Sequence, residues 1–439
     1  MPLARRLTAV LSVLAAAAFT VRVGGSANGS STSVDLPPTP VGERMAWVIG
    51  ILEAGEDTTA AEWSEVLHEE FQRHVPAEQV AALLNGQVRS AAPFTVTAYR
   101  GNETQAVATL AGAIGDPFTL TLVLTEHGRI SAMLLGPVAQ PWEKSASPAE
   151  VRERLRSLPG EVSSLVLRGD EVILELDADR SAPVASTFKL WVLLAVADAV
   201  AAGDLSWEET LVLRDADRSL PSGELQNAPT GTEVSVRDAA AAMIRISDNT
   251  ATDLLIARLG RERVEAAVAR SGHADPAVLA PFLSTKELFT LGWGDPELRV
   301  QWREGDDAAR RALLDRIDAA PLAVDVADVS TPVWQDGIEW FASARDVAAV
   351  HRALQETKDA EVLGILSDNP GLGFDSGSWP FVAFKGGSSL GVLSGSWYAR
   401  DDGRAATVVL LMSDGDATVV SGAMADFFHL AEDALRLAH

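Results

Sequence analysis

Strand-like text stands at both ends of residues 150–439 and helical text fills the middle. That order limits what the segment can fold into. Residues 163–168 and 171–176 read as a hairpin turning at Gly169 and Asp170. At the far end, residues 382–384, 391–399 and 406–412 read as antiparallel strands, with Asp402-Gly403 turning the last pair. A strong helix is expected over about 186–202, and an amphipathic one over 422–439 closes the chain. One sheet must then draw its strands from both ends of the segment, with helices packed around it. The expectation is an α+β fold.

The preceding residues have a different character. Residues 43–54, 59–68 and 77–85 carry helical spacing, and 94–99, 106–113, 119–126 and 130–135 alternate like strands. This predicts a small α+β domain over 41–140, joined at 140–148 (QPWEKSASP) to a larger one over 150–439. In layout and length the small domain resembles the NTF2-like, steroid-isomerase-like fold. It holds no catalytic constellation. His68 and His74 lack metal-ligand companions at useful spacing, and neither a metal nor a cofactor is expected anywhere in the chain.

Arg5 and Arg6 followed by an apolar stretch over 7–20 and small residues near 24–27 read as a signal peptide over 1–27. Residues 28–40 then form a flexible Ser/Gly/Pro leader. The expectation is a secreted protein, with no membrane attachment after cleavage. A net charge of −25 repels phosphate backbones and argues against nucleic acid as a partner. Cysteine is absent, which removes disulfides, thiolate nucleophiles, Cys-based zinc sites and a lipid-bearing cysteine.

Lysine is scarce: Lys144, Lys189, Lys286, Lys358 and Lys385 are the whole set among 36 basic residues. Unlike arginine, a buried lysine can lose its proton and act as a base. Ser186-Thr187-Phe188-Lys189 places a serine at a helix start with a lysine one turn on, within reach of its hydroxyl. Ser247-Asp248-Asn249 sits in a break between two helical stretches, where such residues also serve as ordinary caps. Lys385-Gly386-Gly387-Ser388 follows an apolar run, and its glycines permit either a bulge or a close approach of ligand to backbone.

S-x-x-K, S-D-N and K-T-G in this chain order mark a class of acyl-transfer enzymes. Residues 150–439 resemble the class A β-lactamase and penicillin-binding serine hydrolases. The chain is also similar to actinobacterial two-domain proteins that pair an NTF2-like with a β-lactamase-like domain, one of which serves clavulanic-acid biosynthesis. The resemblance implies Ser186 as nucleophile, Lys189 as general base, Ser247 as proton relay and Lys385 as carboxylate binder. It implies an oxyanion hole from the backbone N–H groups of Ser186 and Ser388. Asn249, Gly387, Ser388 and Ser389 would line the substrate, with Asp248 pinning its loop.

Two departures stand out. Gly386 replaces the threonine of K-T-G. The loop glutamate that holds a deacylating water in class A enzymes, with its asparagine four residues on, is missing; Glu287 and Glu297 are the candidates in its interval. Trp293, Trp302, Trp334 and Trp340 in the same interval are expected as packing first and substrate wall second. The resemblance implies an acyl-serine enzyme acting on a small molecule, a β-lactam or a carboxylate-bearing ester. The alternatives are a D-alanyl-D-alanine peptidase or a β-lactam binder that signals without turnover. Oligomeric state is left open.

Overall fold

The computed structural model describes residues 33–125, 127–138, 142–371 and 379–439. The signal peptide expected at 1–27, residues 28–32 of the leader and the His74 side chain lie outside the described residues. Two compact units emerge, one reaching Trp142 and the other running from Glu143 to His439.

The first unit places helices α1 (Pro40–Glu53), α2 (Ala60–Val66), α3 (Glu69–His74) and α4 (Ala77–Leu83) before a four-stranded antiparallel sheet. Its strands β1 (Phe94–Gly101), β2 (Gln105–Gly112), β3 (Phe118–Leu124) and β4 (Ile130–Pro137) pair in chain order. Met45, Val48 and Leu52 of α1 bury one helical stripe against the alternating Ala106, Ala108 and Leu110 of β2 and Leu120 and Leu122 of β3. The helix expected over 59–68 stops at Val66, because Leu67 turns extended (φ −79°, ψ 140°) to bridge Ile130. Thr59 and Glu62 close its start with reciprocal capping bonds.

The second unit opens with α5 (Pro148–Ser157) and the hairpin β5 (Glu161–Arg168) and β6 (Glu171–Leu176). After the short β7 (Ala182–Pro183), a 3₁₀ turn over Ala185–Phe188 leads into α6 (Lys189–Ala201). The helix expected from Ser186 therefore starts with a tighter turn, and Ser186 lies in that turn. Helix α6 is apolar nearly all round, and so it is the buried axis of the unit.

The helical middle follows: β8 (Thr210–Val212), β9 (Glu233–Ser235), α7 (Val236–Arg245), α8 (Asn249–Leu259), α9 (Arg261–Arg270), α10 (Thr285–Trp293), α11 (Pro296–Glu304) and α12 (Asp307–Asp318). Then come β10 (Phe341–Ala342), which pairs with β7, and α13 (Ala344–Glu356) and α14 (Ala360–Ser367). The chain ends with β11 (Phe381–Ser389), β12 (Val392–Arg400), β13 (Ala405–Ser413) and α15 (Ala417–Ala438).

The sheet reads β11-β12-β13-β5-β6, antiparallel throughout, so its strands do come from both ends of the segment. Neighbouring residues of β12 point to opposite faces. Ser396 meets His351 of α13, while Trp397 meets Phe428 of α15, which puts one helix on each face. The expectation that a first strand ends at Phe384 is corrected. β11 runs on through Lys385-Gly386-Gly387-Ser388 to Ser389 in unbroken register with β12. The facing Ser394-Gly395-Ser396 is small enough to accept the ladder, and pairing overrides the low strand preference of glycine.

Candidate active site

The three motifs converge. Ser186 is half-buried in the turn before α6, and Ala185 beside it is held at φ 44°, a costly conformation for a residue with a Cβ. Ser247 stands in the break between α7 and α8 at φ 59°. Asp248 caps α8 through Ala251 N–H and accepts Glu224 N–H at 2.7 Å and Leu225 N–H at 2.9 Å. It therefore ties the 219–227 loop to the break, and Gly223 lies so close to its carboxylate that a Cβ has no room.

Lys189 Nζ is fully buried and reaches Ser247 O at 2.5 Å, Asn249 Oδ1 at 2.6 Å and Ser247 Oγ at 3.1 Å. Asn249 Nδ2 donates to Leu220 O at 3.0 Å, which turns its amide oxygen toward the lysine. Lys385 Nζ comes from the other side to the same hydroxyl, Ser247 Oγ, at 3.1 Å, and donates to Gly386 O at 2.6 Å. Burial pushes the Lys189 amine well below the ordinary lysine range, and the charge of Lys385 adds to that; Asp253 and Asp248 pull the other way. Desolvation lowers Lys385 to about 7. A charged Lys189 has three N–H donors for the two Ser247 oxygens and the Asn249 amide oxygen, and losing one proton leaves it a lone pair. Its contacts match that inventory.

Strand β11 touches the Ala185–Phe188 turn directly. A Cβ on Gly387 would stand 2.5 Å from Val184 O and 2.8 Å from Ser186 N, so only glycine lets the strand close on the turn. Thr187 Oγ1 meets Ser394 Oγ at 2.8 Å, and Ser394 Oγ donates to Val184 O at 2.6 Å, stapling turn to sheet from below. β11 is the edge strand, so its outer backbone groups are open to a ligand. Gly386 faces the ring of Phe384, whose Cζ would lie 2.8 Å from a Cβ there. The missing threonine hydroxyl is displaced by that aromatic ring.

The two candidate glutamates part from any water-holding role. Glu287 caps α10 through Ser284 N–H at 2.6 Å and takes Arg261 in an ion pair at 2.6 Å, with no exposed surface of its own. Glu297 is exposed in the first turn of α11. Of the four tryptophans, Trp302 and Trp340 are buried, whereas Trp293 and Trp334 are half-buried. Ser388 is exposed, and the Ser389 hydroxyl donates to Glu339 Oε2 at 2.9 Å.

Two residues escape sequence reasoning. Asp253, one turn beyond Asn249 on α8, accepts Thr285 N–H at 2.7 Å and Lys286 N–H at 2.8 Å, and so seats the start of α10 under the site. Burial raises its pKa to about 7. Glu339 is the other; its placement within the apolar run Ile338-Glu339-Trp340-Phe341 was the available signal. Among the described residues no group of three or more His, Asp or Glu could hold a metal ion.

Comparison with known proteins fits this geometry. The profile described as the beta-lactamase enzyme family matches residues 148–371, just over half of the chain. The chain belongs to the beta-lactamase enzyme family. Residues 36–130 match a second profile, the N-terminal domain of the ORF 12 gene product. Family members of known structure resemble the chain only distantly. A beta-lactamase from Sphaerobacter thermophilus shares 21% identity over 67% of this chain and 97% of its own, at a TM-score of 0.48. A class A beta-lactamase from Mycobacterium abscessus shares 18% over 66% and 99%, at 0.45. Penicillin-binding protein D2 from Listeria monocytogenes, in its ampicillin-bound form, shares 19% over 64% and 98%, at 0.43. No curated protein matches the chain.

Proposed function

We propose that this member of the beta-lactamase family is an exported serine hydrolase that works through an acyl-serine, on a β-lactam or a small carboxylate-bearing ester. The observation that carries the reading is the shared Ser247 hydroxyl, 3.1 Å from each of two buried lysines whose basicity is lowered. Neutral Lys189 takes the Ser186 proton as Oγ bonds to the substrate carbonyl carbon, and the carbonyl pair moves onto oxygen. The Ser186 and Ser388 backbone N–H groups hold that oxyanion. As the carbonyl re-forms, the bond to the leaving nitrogen or oxygen breaks. Ser247 hands its own proton to the leaving atom and is reprotonated from Lys189. A substrate carboxylate near Lys385 restores the positive charge that burial disfavours there, which supports an anionic substrate in an otherwise acidic chain.

The engagement of Glu287 by Arg261 and by its own helix cap favours a second reading, in which water reaches the acyl-enzyme slowly and the protein acts as a β-lactam trap or sensor. Mass spectrometry after mixing with a penicillin, a cephalosporin or a short-chain acyl ester distinguishes these. Released product without adduct supports turnover. A persistent adduct on Ser186 supports the trap. No adduct and no turnover, unchanged by Ser186→Ala, sinks both.

A further inference from the structure

Residues two apart on a strand share a face, so β11 presents Lys385, Gly387 and Ser389 together. Each meets a different part of the site. Lys385 reaches Ser247, Gly387 lies on the Val184–Ser186 backbone, and Ser389 donates to Glu339 Oε2 at 2.9 Å. Glu339 is only 7% exposed, and its other oxygen accepts Trp340 N–H at 3.0 Å. These two neutral donors answer its carboxyl, and no cationic side chain among the described residues does.

The next residues bind the opposite partner. The Trp340 ring stacks on Phe188 of the nucleophile turn, with centroids 3.6 Å apart and planes at 15°. Its carbonyl accepts Val184 N–H at 2.9 Å, and Phe341 and Ala342 pair with Pro183 and Ala182. Four consecutive residues, Glu339 to Ala342, thus fasten the nucleophile turn on one side and β11 on the other. The point of attachment on β11 is the residue after Ser388.

We propose that Glu339 is a positioning residue for the oxyanion hole, fixing the Ser388 N–H of β11 opposite the Ser186 N–H through its bond to Ser389. The inference rests on the acyl-serine reading above. An ionised Glu339 accepts from both Ser389 and Trp340; once protonated, one oxygen must donate, and the Ser389 hydroxyl is turned round. Burial raises the carboxyl to about 7, so this change falls near neutrality. Lys385 is the titratable group of β11, and Lys189 follows the turn at the start of α6, which also carries Asp198.

The test is the rate at which a fluorophosphonate labels Ser186 in the full chain, from acid to alkaline pH, for the wild type, Glu339→Gln and Ser389→Ala. Above neutrality both variants should label ~10-fold or more slowly, the scale of effect that misplaced reacting groups produce. Glu339→Gln should also narrow the acid-side fall by the part Glu339 contributes near 7 and leave the parts that belong to Lys385 and Lys189. Equal rates and superimposable profiles in all three proteins overturn the proposal. If Glu339→Gln does not fold, a wild-type rate in Ser389→Ala overturns it alone. Failure of the wild type to label at Ser186 overturns the acyl-serine reading itself, a result separable from equal labelling.

Discussion

Two buried amines close on one hydroxyl, where neither has water to spread its charge, and the charge of Lys385 further disfavours one on Lys189. The result at Lys189 and Lys385 is a pair that gives up a proton far more readily than free lysine. Lys189→Arg tests the need for that lost proton, because a guanidinium stays charged. Ser186 labelling should fall by ~10²-fold or more, the usual worth of a general base. Stability carries the same signature. Lys385 has its folded pKa lowered to about 7, so between that value and the ordinary lysine range the unfolded chain binds more protons. Stability should therefore rise as pH climbs from about 7 toward 10, with the penalty fully present below 7. In thermal melts, Lys385→Met should gain on the wild type at acid and neutral pH, and the gain should shrink at alkaline pH. A gain that is flat with pH would show that Lys385 is not the group titrating. At this scale the lysines were legible because they are rare. Asp253 and Glu339 were not, since 61 acidic residues look alike until the fold buries a few of them.

Elements place these residues, and two of them make predictions of their own. Helix α10 begins with Glu287 locked between its cap and Arg261. Breaking a buried pair of this kind costs about 3–5 kcal/mol, so Glu287→Gln should lower Tm by roughly 5–10 °C. Acylation and deacylation should slow together or not at all; selective stalling at the acyl-enzyme would instead make Glu287 the hydrolytic base. Strand β11 tolerates nothing larger than glycine at 387, where the obstructing Val184 O and Ser186 N belong to the backbone. Gly387→Ala should push the strand off the turn and cut Ser186 labelling by ~10²-fold. Gly386→Thr meets only the ring of Phe384, so it should cost stability without restoring carboxylate binding unless Phe384 is also cut down. Sequence periodicity gave most of the strand positions but shortened β11, because glycine and lysine are poor strand formers when read alone. Ladder pairing with β12 supplies what composition lacks. The turn at Ala185–Phe188 was hidden for a similar reason: helix spacing persists through a 3₁₀ start.

Across the whole molecule, each unit closes its own core. Among the described residues, the cluster around α6 draws on none before Leu165, and the cluster around α1 on none after Leu135. A chain of Glu143–His439 alone should therefore fold and label at Ser186 within about threefold of the full protein, as expected for a domain with its own core. A much slower rate would assign the first unit a part in the chemistry. The overall plan was legible because a sheet fed from both ends has few alternatives; the long 276–340 interval was not, because Trp340, Glu287 and Glu339 each find a partner far away in the sequence. The strand order also sets a timetable for synthesis. Hairpin β5–β6 is made early, yet its neighbour in the sheet is β13, the last strand to be made. Ser186 waits almost as long, for Lys385 on β11. Until Ala405–Ser413 has been added the growing chain carries an open β5 edge, so the sheet that presents Lys385 closes only as its final strand docks.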